Sequence, residues 1–267
     1  MMLRQLRADV REMVTEQIEY RELLYQMTMR DIRLRYKQTV MGFGWAIFMP
    51  LLNTAIFSVI FMRVAPIETG VPYPIFAYCG LLTWNFTASS LKFAVNSLTS
   101  NANLVTKVYF PREIFPLSTV VVSLVDLAVG STVLVGLMIW YRIGVSPLLL
   151  LIPVVLAVQV VFTLAVGLLV SMGNLFYRDI KYLFEVVVTV WMFATAVIYP
   201  VELVGGTLGT VMRLNPMTPI IEAYRDVILF GRLPDRSFAA AALVSVILLG
   251  ISWVAFHRAE FEFAENV

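Results

Sequence analysis

The sequence predicts an all-α integral membrane protein with six transmembrane helices. Three observations carry that prediction. Of 267 residues, 60% are hydrophobic and 14% charged, against about 45–50% and about 25% in soluble domains. The apolar excess falls into six separate stretches, each near the ~20 residues that cross a bilayer as a helix. The Lys and Arg residues gather on one side of those stretches, as they do in polytopic membrane proteins. The chain is expected to divide into an amphipathic interface segment (1–42), one transmembrane domain (43–256) and a short tail (257–267).

The first 42 residues alternate basic and acidic side chains without a continuous apolar core, so they are not read as a signal peptide. Tyr25, Met29, Ile32 and Tyr36 recur at helical spacing and form one stripe, with Arg30, Arg33 and Lys37 as a basic stripe beside it. An apolar stripe flanked by cations suits a helix lying in the membrane interface, its charges near anionic headgroups. A solvated helix packed on another subunit has the same pattern. Gly42 and Gly44 permit a turn into the first span.

The spans are predicted at 43–62 (interrupted by Pro50 and Asn53), 72–91, 115–141, 148–173, 182–200 and 238–256. Six spans place both termini on one side. That side holds fourteen Lys and Arg residues and the other holds six, four of them in a segment that also carries Glu202, Glu222, Asp226 and Asp235. Both termini are therefore expected in the cytoplasm.

The segment between the second and third spans, SNANLVTKVYFPREIFP, breaks the apolar pattern on the cytoplasmic side. Ser100 or Asn101 reads as a helix cap, and Leu104, Val105 and Val108 as a short amphipathic turn. Pro111 stops it, and Pro116 fits the first turn of the next span. Val108, Tyr109 and Phe110 are expected at the cytoplasmic face, where exposed aromatics beside charges mark a partner site. Between the fifth and sixth spans, Thr218 and Pro219 read as a cap and first helical residue, and Gly231 as a stop. A 12-residue helix there is roughly 18 Å long, too short to cross. It carries Glu222, Arg225 and Asp226. A re-entrant or interfacial helix on the outer side fits it, as does an ordinary external loop helix.

Little chemistry is expected in the chain itself. No Gly-x4-Gly-Lys-Ser/Thr phosphate loop occurs; Gly205, Gly206 and Gly209 lack the lysine. A net charge of +2 gives no case for nucleic-acid binding. The single cysteine, Cys79, excludes an internal disulfide, and the single histidine, His257, argues against a histidine-based metal site. Asp126, mid-way along the third span, is the one central ionisable residue. It reads as a structural hydrogen-bond partner or as part of an ion relay, although Glu185 and Lys92 make a thin set for a relay. Trp45, Trp84, Trp191, Tyr78 and Tyr199 near span ends fit an aromatic belt, or a sugar-stacking pathway.

Four motifs in order carry a resemblance: RDIRLRYKQTVMGFGWAIFMPLL, NANLVTKVYFPREIFPLS, NLFYRDIKYL and LNPMTPIIEAYRDVI. The chain resembles the permease subunit of bacterial polysaccharide-exporting ABC transporters of the type-2 exporter superfamily, in particular the O-antigen and teichoic-acid branch. The resemblance implies a homodimer in the cytoplasmic (inner) membrane, surrounded by membrane lipids and served by two copies of a separate ATPase. ATP and Mg would bind that partner, leaving no cofactor, metal or catalytic residue here. It implies that a lipid-linked, O-antigen-like polysaccharide is exported. It also implies an ATPase-coupling helix over Asn101, Ala102, Asn103, Leu104, Val105, Thr106, Lys107, Val108, Tyr109 and Phe110, and an interface helix containing Arg30, Arg33, Tyr36 and Lys37. Phe43, Trp45, Phe48, Trp191 and Tyr199 become candidate pathway or gate residues, with 215–231 closing the outer side. Permeases for teichoic acid, capsule, drugs or lipids, and an ion-coupled carrier using Asp126, are the alternative readings.

Overall fold

The structure, a computed structural model, describes residues 15–37, 39–42, 44–107 and 110–266. Phe43, Val108 and Tyr109 lie outside the described residues. The helices follow as α1 (Arg21–Tyr36), α2 (Gly44–Val59), α3 (Tyr73–Ser97), α4 (Ala102–Lys107), α5 (Ile114–Trp140), α6 (Ile152–Phe176), α7 (Ile180–Phe193), α8 (Gly206–Leu214), α9 (Met217–Arg225) and α10 (Arg236–Asn266). No strand occurs among the described residues.

Within the described residues, four helical stretches are long and apolar enough to cross a membrane: Gly44–Val64, Ile114–Trp140, Pro147–Phe176 and Arg236–Glu260. They coincide with the predicted first, third, fourth and sixth spans. In α2 the helix carries Pro50 in its interior and runs on through a π-helical turn, Ile60–Val64. α10 does not stop at residue 256; the residues expected as a tail continue the helix to Asn266.

The predicted second span, α3, is less lipid-like for a physical reason. Nineteen of its 25 residues are buried, including Thr83, Thr87, Ser90 and Ser97. It is the hub of the bundle, facing protein rather than lipid, so polar side chains can serve as links between helices. The Gln159 side chain of α6 donates to the Thr83 carbonyl (2.7 Å) and to Thr87 Oγ1 (3.0 Å). Asn174 donates to the Val95 carbonyl at 2.8 Å, and Tyr78 donates to the Gly130 carbonyl on α5 at 2.8 Å. α3 also outruns its prediction by six residues, so Lys92 lies within the helix rather than at its end.

The predicted fifth span is helical only as α7. Fourteen residues rise about 21 Å, short of a hydrocarbon layer about 30 Å thick. The chain then folds into turns with Ala196 in the left-handed region (φ 53°). Thr195, Ala196, Val197 and Ile198 are buried there. Non-helical backbone survives in an apolar setting only where its carbonyls find donors. The donors come from two other elements, as described below.

A second hydrophobic core sits at the end of the bundle that holds α1 and α4. Met27, Leu98, Val105, Phe110, Phe115, Leu168, Phe256 and Phe263 meet there. It joins α1, α4, α5, α6 and α10 in one packed unit.

Candidate coupling and pathway site

α4 is not a separately capped helix. α3 passes through Leu98 into a 3-10 turn, Thr99–Asn101, and so into α4. The Asn101 side chain donates backwards to the Ser97 carbonyl at 2.7 Å instead of capping α4. Val105 is fully buried, while Ser100, Asn103, Thr106 and Lys107 are exposed. The six residues of α4 therefore present one anchored side and one open side.

Phe110 differs from the expectation of an exposed aromatic. It is buried, with its ring edge-on to Phe115 at 5.4 Å between centroids. Pro111 redirects the chain, and the ring follows into the second core. Phe110 is an anchor of the segment rather than part of its open face.

Arg112 ties this segment to α10. Its backbone N–H donates to Glu260 Oε1 at 2.9 Å. Its guanidinium donates to the Glu260 carbonyl (3.0 Å) and to the Val105 carbonyl near the end of α4 (3.1 Å). A cation at the carbonyl end of a helix complements the helix dipole. α4 is thus linked to α3 through the backbone, to α5 through Phe110 and Phe115, and to α10 through Arg112.

α1 packs along α5 by only part of the stripe read from spacing, since Tyr36 faces α5 and Tyr25 does not. Met27 and Thr28 are its buried residues, whereas Tyr25 is 55% exposed. The inward face carries charge. Ser118 on α5 donates to Asp31 at 3.1 Å, and both Arg35 and Tyr36 donate to the Asp126 carboxylate. The Arg35 guanidinium also lies over the Phe93 ring, 3.9 Å from its centroid. Burial first and the Asp126 carboxylate second push the Tyr36 phenol up to about 12, so it remains a proton donor at neutral pH. Arg33 and Lys37 face outward, and Arg30 pairs with Asp31 at 2.8 Å. Asp31 and Arg35, which lie outside that stripe, make these contacts together with Tyr36, which lies in it. The signal was present in one respect, because a lone Asp in an apolar helix calls for a cation.

Beside this ion pair, α1, α2, α3 and α5 enclose a cavity of about 530 Å³ lined in part by Arg35, Trp45, Asn53, Asn85, Lys92 and Asp126. Trp45 and Phe48 stand edge-to-face, 5.8 Å apart, on the exposed side of α2. Trp191 and Tyr199 are placed differently. Trp191 packs edge-on to Trp84 at 5.5 Å and against Phe162 at 6.0 Å within the main core. Its indole N–H donates to Asn215 Oδ1 at 3.1 Å. The Tyr199 hydroxyl donates to the Phe193 carbonyl. Trp45 and Phe48 thus form one group, and Trp191 and Tyr199 support the break after α7.

That break is stitched by the 215–226 motif. Asn215 donates to Thr195 Oγ1 at 2.9 Å. Arg225, 3% exposed, donates to the Ala196 carbonyl at 3.1 Å and to the Val197 carbonyl, with its guanidinium 3.7 Å from the Phe76 ring centroid. Tyr73 donates to the Ile198 carbonyl at 2.8 Å. Gly80 on α3 makes room, since a Cβ there would lie 2.3 Å from Arg225 Nη2 and from the Val197 carbonyl oxygen. The helix begins at Met217 rather than after Thr218, because Asn215 Oδ1 accepts the Met217 N–H. It continues as a π-helical turn, Asp226–Phe230, to Gly231. Gly231 is left-handed (φ 59°), a conformation that favours glycine, so the expected stop is observed.

Comparison with known proteins gives this arrangement a family. The family profile described as ABC-2 type transporter matches residues 22–229. The O-antigen export system permease protein RfbA of Myxococcus xanthus is 30% identical over 96% of this chain and 99% of its own length. RfbA of Klebsiella pneumoniae is 28% identical over 91% of this chain and 94% of its own. The polysialic acid transport protein KpsM of Escherichia coli is 20% identical over 87% and 91%. The profile spans α1 to the π-helical turn after α9 and takes in α4 and the stitched break. The chain belongs to the ABC-2 type transporter family and is a membrane permease of an ABC exporter.

Proposed function

We propose that this permease moves a lipid-linked, O-antigen-like polysaccharide outward across the inner membrane, driven by ATP hydrolysis on a separate ATPase. The likeness to O-antigen export permeases over nearly the whole of both chains carries this reading. In it, α3 and the α7 segment with its stitched break are the second and fifth of six spans. Both termini and α4 face the cytoplasm. Two copies of the chain pair, and each meets one ATPase subunit through the open side of α4 at Asn103, Thr106 and Lys107. ATP and Mg bind that partner.

The mechanism requires that α4 make different contacts in the ATP-bound and ATP-free partner, since only a differential contact shifts a conformational equilibrium. Arg112 and the second core carry the shift into α5 and α10. α9 and the break after α7 form the outer closure. The cavity beside Lys92 and Arg35 offers cationic donors and the Trp45 ring, which suit a phosphate-bearing lipid headgroup joined to a sugar. Pairing of Asp126 with Arg35 and Tyr36 gives that carboxylate a structural task, which supports the ABC reading over an ion-coupled carrier.

Deletion of the gene, followed by complementation, tests the reading. Surface polysaccharide is expected to disappear while lipid-linked polysaccharide accumulates inside the cell, and the wild-type gene restores export. Unchanged surface glycan on deletion would sink the polysaccharide assignment and favour a drug or lipid cargo.

A further inference from the structure

We propose that Glu113, His257 and Glu260 form a binding site for one divalent first-row metal ion, Zn2+ by its donor set, which fastens the α4–α5 loop to the end of α10. The lone histidine argued against such a site in the sequence. Folding changes the case by bringing the distant Glu113 to His257 and its helical neighbour Glu260.

Glu113 lies in the loop before α5 and is 3% exposed, yet neither of its carboxylate oxygens has a hydrogen-bond partner. A buried carboxylate in that condition is costly unless a positive charge faces it. His257 Nδ1, also buried and without a hydrogen bond, faces it at 3.5 Å from Glu113 Oε1. Glu260, one helical turn beyond His257 on the same face, places Oε2 at 3.7 Å from Nδ1. These separations exceed the roughly 2.7–3.2 Å of an N–H···O bond. They match two donors sharing one ion, since ligands about 2.0–2.1 Å from a tetrahedral Zn2+ stand about 3.4 Å apart. The donor atoms of all three residues lie within 4.8 Å of one another.

Arg112 engages Glu260 through Oε1, with its guanidinium 3.4 Å away. Oε2 is left directed at His257. Arg112 serves Glu260, and His257 is the group that faces Glu113. One imidazole with two carboxylates suits Zn2+ better than Mg2+ or Ca2+, which prefer all-oxygen shells. Three protein donors leave a fourth position for water. The alternative occupant of this space is a proton on His257 bridging the two carboxylates.

The test uses the full-length chain in lipid nanodiscs, stripped with EDTA and titrated with ZnCl2 by calorimetry, with bound metal counted by elemental analysis. About one Zn2+ per chain is expected, together with a higher unfolding temperature when Zn2+ is present. Glu113→Gln and His257→Gln are each expected to weaken binding at least about tenfold. Should a variant fail to fold, the wild-type stoichiometry decides. Binding well below one ion per chain, or equal binding by folded variants, would overturn the metal site and assign the cluster to the protonated imidazole.

Discussion

Asp126 shows how an apolar helix holds a charge: Arg35 and Tyr36 reach it from α1, and Arg35 is itself covered by Phe93. Removing one partner leaves the other polar and half-buried. Arg35→Ala is expected to cost roughly 1–3 kcal/mol in chemical unfolding, and the Arg35→Leu/Asp126→Leu pair to recover part of that loss. Gly80 makes a sharper case. Gly80→Ala would push the Arg225 guanidinium off the Ala196 and Val197 carbonyls and is expected to cost about 1–3 kcal/mol. Gly136→Ala, where an added Cβ meets nothing within 4 Å, is the control. Glu222 adds a pH dependence at α9. Burial first and the Glu202 carboxylate second push its carboxyl from 4.5 up to about 7. The folded chain therefore holds that proton more tightly than the unfolded chain does. The cost of ionisation is absent below about pH 4.5, grows towards pH 7 and is complete above it. Glu222→Gln is expected to raise the unfolding temperature at pH 8 and to leave it unchanged at pH 4.

At the scale of elements, α4 has one anchored side and one open side, and the proposed docking belongs to the open one. Phe110→Ala is expected to destabilise the chain by about 3–5 kcal/mol through loss of a buried ring. Lys107→Glu, on the open side, is expected to change stability by no more than about 0.5 kcal/mol while weakening co-purification of the ATPase. Measuring unfolding and co-purification on both variants distinguishes the two roles. This division was only half legible in the sequence. The prolines and charges of 103–116 mark a break, but they do not tell which side of a six-residue helix faces the core. Long apolar runs were read well because length and hydropathy suffice for α2, α5, α6 and α10. α3 was found by the same count, yet its role as the hub was hidden, since burial against protein and burial against lipid look alike in composition. The helical end at Phe193 was missed because residues 194–200 are as apolar as a helix would be. What makes the break possible, Arg225 and Asn215 from a later segment, is a tertiary fact. The His257 cluster was hidden for the same reason, with Glu113 far away along the chain.

At the scale of the whole molecule, α2 and α7 each leave an apolar face uncovered in the single copy. α2 and α7 bury only two residues each, and both expose aliphatic side chains, among them Leu52 and Ile56 on α2 and Val186 and Val190 on α7. Lipid covers such a face in a single copy, and a second copy covers it in a dimer with a pathway between the subunits. In a Cys79→Ser background, Leu52→Cys or Val190→Cys is expected to cross-link two copies in membranes. Leu243→Cys, on the exposed side of α10, is expected to remain monomeric. The central claim is that an external ATPase drives this permease through α4. ATP-dependent transport of a lipid-linked glycan in proteoliposomes, compared between wild type and Thr106→Arg/Lys107→Glu, tests it most directly. Transport by the wild type, with loss of both transport and ATPase binding in a variant that unfolds at the wild-type temperature, is the predicted result. Undiminished ATP-dependent transport by that variant would contradict it.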